Sequence, residues 1–143
     1  MKRRICSVFL LIVLISTLAI SVAATSGIMP RLNNTSGTST NFTITSAGKA
    51  TVTATYDAYR SLFTNATITS YIEKRTLGLF WTKVNIDQPN NEWVDTSTDY
   101  IDAFVHEIYL DSKGTYRATV IYEISGTGGA TDVIDYEQER TYS

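Results

Sequence analysis

The sequence predicts an all-β chain: one antiparallel two-sheet sandwich of seven to eight short strands, preceded by an N-terminal signal helix. Three observations carry this. Apolar and polar residues alternate with period two in run after run between residues 41 and 143, the pattern of strands with one buried face. Turn residues separate these runs at short intervals, and beyond the first segment no window sustains a helical period. A small closed barrel gives the same alternation and is the alternative architecture.

The chain opens with a targeting pattern. Lys2, Arg3 and Arg4 form a basic start, Phe9 to Ile20 is an apolar run, and Ser21 to Ala24 places small residues where a signal peptidase cuts. Residues 1–23 are therefore expected to be a signal peptide, cleaved near Ala23 or Ala24, and the protein to be secreted. Ile5 to Ala24 is also just long enough to span a bilayer, so an uncleaved N-terminal anchor is the alternative. Residues 24–40 are rich in Ser, Thr, Asn and Gly without hydrophobic period, and read as a flexible lead to a domain spanning 41–143.

The strands follow in order. Asn41 to Ser46 alternates Phe42 and Ile44 against Thr43 and Thr45. Lys49 to Ala58 sets Ala50, Val52, Ala54 and Tyr56 against Thr51, Thr53 and Thr55, whose β-branched side chains favour extended backbone while their hydroxyls stay wet. Thr67 to Arg75 places Ile68 and Ile72 on one face. Phe80 to Ile86 is a further strand, and Asn90 to Thr96 a short one around Trp93. Tyr100 to Leu110 carries Phe104, Ile108 and Leu110 on one face, and Thr115 to Ile124 carries Tyr116, Ala118, Val120, Tyr122 and Ile124. Thr131 to Tyr142 is a charged last strand suited to a sheet edge. The predicted core adds Trp81 and Val84 to these apolar faces. Pro30 and Pro89 fall outside the strands, as a residue without an N–H should.

Charge and composition exclude several functions. The chain holds 12 basic and 14 acidic residues, net −2, and losing residues 1–23 removes three cations and no acid. An acidic chain without a basic cluster argues against nucleic acid, and against membrane once the signal is gone. The sole cysteine, Cys6, lies in the signal segment, so packing and not a disulfide must stabilise the domain.

Enzymatic parts are scarce. Only His106 could serve as an imidazole base, and it alternates onto the face of Phe104 and Ile108, where a packed histidine is the ordinary reading. No catalytic residue, cofactor or metal is assigned, and the chain is expected not to be an enzyme. Asp87, Glu92, Asp95, Asp99 and Asp102, with Asn85, Asn90 and Asn91, concentrate hard oxygen ligands that could hold calcium. The spacing fits no EF-hand loop, and a solvated acidic connection is the plainer reading. Trp93 beside Asn90, Asn91 and Glu92 could stack a sugar ring while amides and a carboxylate take its hydroxyls; a half-buried strand tryptophan is the competing reading. Tyr56, Tyr59 and Phe63 add aromatics to one long connection, as caps on the core.

Asp111 to Ala118 resembles the D-x-G-x-Y-x-C phrase of immunoglobulin domains, with one residue inserted before the glycine. The resemblance implies an immunoglobulin-like sandwich in which Tyr116 is a tyrosine corner, its hydroxyl bonded to upstream backbone. Asp111 and Gly114 would form the turn, and Ala118 would occupy the position of the missing cysteine. Trp81 departs from the pattern, arriving one strand later than the core tryptophan of that fold. The chain also resembles small secreted single-domain proteins of Gram-positive bacteria, largely domains of unknown function, through Ile68 to Lys74, Trp81 with Val84, and Lys113 to Tyr122. The reading is a bacterial, non-enzymatic surface or extracellular interaction domain with a cell-surface glycan or protein as partner. The alternative is a carbohydrate-binding module using Trp93 and the loop 85–102, with or without calcium.

Overall fold

The computed structural model describes residues 32–143; the predicted signal segment 1–23 and most of the lead lie outside the described residues. The described chain is a two-sheet, all-antiparallel β-sandwich. Its strands are β1 (Thr35–Ile44), β2 (Lys49–Ala58), β3 (Phe63–Thr76), β4 (Phe80–Lys83), β5 (Trp93–Ser97), β6 (Ile101–Tyr109), β7 (Gly114–Gly126) and β8 (Asp132–Tyr142). One sheet has three strands in the order β1-β2-β6. The other has five in the order β4-β3-β7-β8, with β5 pairing the first half of β3 while β4 pairs its last residues. Among the described residues no helix is long and apolar enough to cross a membrane.

The period-two faces meet as the alternation requires. Phe42 from β1, Val52, Ala54 and Tyr56 from β2, Ile68 and Ile72 from β3, and Tyr116, Ala118, Val120, Tyr122 and Ile124 from β7 are buried in one cluster. Ile44, Val84, Phe104 and Ile108 pack against it half-buried. The small residues Ala50, Ala54, Ala66 and Ala118 let large tyrosines lie between the sheets. Each deeply buried ring then needs a partner for its hydroxyl. Tyr122 donates to the Ser39 carbonyl at 2.7 Å, tying β7 to β1 across the sandwich, and Tyr56 bonds the Asp99 carbonyl at 2.5 Å.

Two expectations are corrected. First, β1 begins at Thr35, inside the segment read as flexible lead, and Asn34 and Thr35 are fully buried. The cause lies at the far end of the chain. The Asp132 carboxylate accepts the backbone N–H groups of Asn33, Asn34 and Thr35 at 2.7–3.1 Å, and the Thr35 hydroxyl at 2.9 Å. Burial disfavours this carboxylate, but the surrounding donors outweigh it and hold its pKa below the ordinary aspartate value. Second, Trp81 is outside the core. β4 lies at the margin of its sheet, and the register Arg75↔Trp81 places the indole on the outer face.

Candidate functional site

Trp93, Asn90, Asn91 and Glu92 do not converge on one surface. Pro89–Asn91 forms a single 3-10 turn, in which Asn90 and Asn91 take the left-handed φ of 56° and 55° that asparagine tolerates. The Asn91 carboxamide oxygen accepts the Ile86 N–H at 3.3 Å, so this side chain closes the loop. Glu92 pairs with Lys83 at 2.5 Å, and the Lys83 ammonium lies 4.3 Å from the centre of the Tyr71 ring. Trp93 turns inward, packs against the core and stacks on His106, their rings 4.8 Å apart and within 2° of parallel. One face of the indole is thus covered. Asn90 remains exposed, without the others beside it.

The acidic residues of the same region are likewise dispersed. Asp95 bonds His106 Nε2 at 2.6 Å, Asp102 accepts the Ala103 N–H, and Asp99 accepts nothing from Asn85, Asn90 or Asn91. Among the described residues no group of three or more His, Cys, Asp or Glu side chains is placed to hold a metal ion. His106 lies on β6 and Asp95 on β5, so their bond links the three-stranded sheet to the five-stranded one. With Trp93 stacked on the imidazole, the arrangement is a clasp between sheets.

At the start of β7, the buried Tyr116 donates its hydroxyl to the Ser112 carbonyl at 2.5 Å. Gly114 has φ of 152°, a backbone angle that favours glycine; a Cβ there would meet only the movable end of the Lys74 side chain at 3.0 Å. Asp111 is exposed beside this turn, and Ala118 is fully buried opposite Ile72.

Three outward features carry more binding potential than the loop. The first is the outer face of the five-stranded sheet. There the Arg117 guanidinium lies 4.6 Å from the Trp81 ring and Arg75 lies 5.8 Å from it, while Arg117 also pairs with Glu73 at 2.6 Å and Glu137 at 3.1 Å. The sequence signal was the consecutive pair Phe80-Trp81, since neighbours on a strand cannot both face inward. The second is the β3–β4 hairpin tip, where Leu77 is 84 %, Leu79 77 % and Phe80 63 % exposed.

The third is the free edge of β6. Leu110 donates to Gly48 and Ala58 donates to Tyr100, which fixes the phase of the β2–β6 ladder. Antiparallel bonding alternates, so even-numbered residues of β6 turn their main chain toward β2. Ile101, Ala103, Val105, Glu107 and Tyr109 turn theirs to the open edge. The side chains of Ile101, Val105 and Tyr109 are all more than half exposed on the outer face. At the Ile101 end an open depression of about 520 Å³ is lined by Ile101, Asp102 and Ala103 with residues of β1 and β2.

The other edges are guarded. β1 carries a bulge between Thr35 and Gly37, and the Gln138 carboxamide bonds its Phe42 N–H and Thr40 carbonyl at 3.0 and 2.8 Å. β8 is lined by Asp135, Glu137, Glu139 and Arg140, and β4 and β5 are only 4 and 5 residues long. Charge, bulges and shortness all discourage pairing with another strand. β6 has 9 residues, an unbroken register, no proline and no lysine.

Comparison of the chain with family models, curated proteins and solved structures finds no match.

Proposed function

We propose that this chain is an exported, non-enzymatic interaction domain of immunoglobulin-like build that takes an extended segment of a protein partner along the edge of β6. The open β6 edge is the observation that carries this reading. Strand addition needs a row of main-chain N–H and C=O groups free for a partner, with side chains beside them to read it. β6 offers both at Ile101, Val105, Glu107 and Tyr109, the Ala103 N–H being taken by the Asp102 carboxylate at 2.8 Å. The immunoglobulin-like assignment is supported by a three-strand sheet of the first, second and sixth strands facing a sheet centred on the third and seventh, and by the Tyr116 hydroxyl on upstream backbone. Export rests on the pattern of residues 1–24, and the kinship with small secreted Gram-positive domains on the phrases that suggested it.

Selection of displayed peptides against the domain tests the proposal. Bound peptides should protect the amides of Ile101, Val105, Glu107 and Tyr109 from exchange, and Val105→Pro should abolish binding while the domain stays folded. Peptides that map elsewhere and still bind the proline variant would sink it. A glycan array run with and without calcium gives the opposing outcome: glycan binding lost on Trp93→Ala would favour the carbohydrate-binding module.

A further inference from the structure

The β3–β4 hairpin breaks two rules of a soluble turn at once. Its tip residues are its most exposed apolar side chains, Leu77, Leu79 and Phe80. Leu77 also takes φ of 53°, a left-handed conformation suited to glycine or asparagine and uncommon for leucine. Solubility and backbone preference both disfavour a leucine there, and such local violations concentrate at functional sites. The tip is nevertheless well fixed, because the Arg75 Nε–H bonds the Gly78 carbonyl at 2.9 Å and Leu79 N–H bonds the Thr76 carbonyl.

Lys74, Arg75 and Lys113 belong to this end of the sandwich. Lys74 lies beneath the tip, its ammonium 2.6 Å from Ser112 Oγ and 5.7 Å from the centre of the Tyr116 ring. Arg75 lies on the hairpin, and Lys113 lies in the adjoining β6–β7 turn with Asp111 as the nearby acid. Among the described residues, ion pairs engage Lys49, Lys83, His106 and Arg117, and none engages Arg60, Lys74, Arg75, Lys113 or Arg140. Of these five only Arg60 lies at the other end of the sandwich, over the Tyr100 ring. That opposite end holds Asp57, Asp99, Asp102, Glu123 and Asp132 against the single cation Arg60. The net negative charge therefore conceals a polarised molecule whose basic pole coincides with its apolar tip.

We propose that the β3–β4 hairpin docks the domain on an anionic lipid surface, inserting Leu77, Leu79 and Phe80 among the acyl chains while Lys74, Arg75 and Lys113 meet the headgroups. An apolar tip with cations nearby that no carboxylate neutralises matches the two layers of such a surface, whereas a protein pocket accounts for the leucines but gives no reason for the cations. This expectation runs against the argument from net charge, because binding responds to the local field and not to the total. It stands independently of the β6 edge.

Vesicle co-sedimentation of the chain 24–143 tests it, using phosphatidylcholine alone and phosphatidylcholine mixed with phosphatidylglycerol. The mixed vesicles should bind the chain, and added salt should release it. Lys74→Gln and Lys113→Gln should each weaken binding about fivefold, the factor matching ~1 kcal/mol per cation near a charged surface. Leu77→Asn with Leu79→Ser should weaken it more than about tenfold through lost apolar burial. That variant relieves the turn, so its unfolding midpoint should be unchanged or raised, which separates lost binding from lost folding. In the Trp93→Phe background, Trp81 fluorescence should shift to the blue on vesicles. Equal binding to neutral vesicles, undiminished binding of the tip variant, or no binding to either vesicle would each overturn the proposal, the last being what a protein occupant of the tip predicts.

Discussion

Tyr116 shows how much one hydroxyl can decide at the residue scale. Its ring fills core that no disulfide reinforces, and its O–H satisfies the Ser112 carbonyl at the turn into β7. Tyr116→Phe keeps the ring and leaves that carbonyl short of its donor, so it should cost ~1–3 kcal/mol. Equilibrium unfolding measures this, and an unchanged midpoint would remove the tyrosine corner. Asp132 is the second decisive residue, since it gathers the donors of Asn33, Asn34 and Thr35 onto one buried carboxylate. Asp132→Asn should cost ~1–3 kcal/mol at neutral pH. The sign with pH follows from the lowered pKa: the stabilisation is complete above the unfolded aspartate value and is lost as pH falls through the folded one. Stability profiles of parent and variant should therefore converge in acid; a gap that stays constant to low pH would contradict the clamp.

At the scale of elements, the edges distinguish strands that look alike in sequence. The alternation of β6 gave its two faces, and the turn residues gave its ends. Neither could say that its outer edge is open, because pairing order is a long-range property that period two does not encode. The same limit explains Trp81 and Trp93. Each sits in a short strand with a definite alternation, but which indole is covered depends on whether a strand lies opposite, and β6 lies against β5. The start of β1 was hidden for another reason. Thr35 to Thr40 reads as a hydroxyl-rich linker until Asp132 supplies partners from 97 residues away. By contrast, the large inward side chains of β2, β3 and β7 were legible, since burial on one side enforces the period. The start of β3 at Phe63, read as part of a connection, and the buried Ser70 and Thr119 were not. Proline substitution separates the two edges of β6. Val105→Pro removes an N–H that faces outward, whereas Phe104→Pro removes a ladder hydrogen bond to β2 and leaves its acceptor unpaired, so Phe104→Pro should be the more destabilising of the two by about 1–3 kcal/mol. Thermal unfolding of the pair reads the difference, and equal losses would mean that the phase of the ladder is wrong.

The described residues form a sandwich clasped on both flanks and left open at one edge. Gln138 and Tyr122 bind β1 to the five-stranded sheet on one side, and His106 with Asp95 binds β6 to β5 on the other. These polar links do the joining that a disulfide performs in many secreted domains of this size. They also leave the unguarded main chain of β6, and the apolar tip at the basic pole, as the places where this surface departs from what stability alone would select. Residue-resolved amide exchange along β6 in the free protein tests that account most directly. Slow exchange at Asp102, Phe104, His106 and Ile108, alternating with fast exchange at Ile101, Val105, Glu107 and Tyr109, is the predicted result. Uniformly slow exchange along the strand would contradict it, because the edge would already be covered.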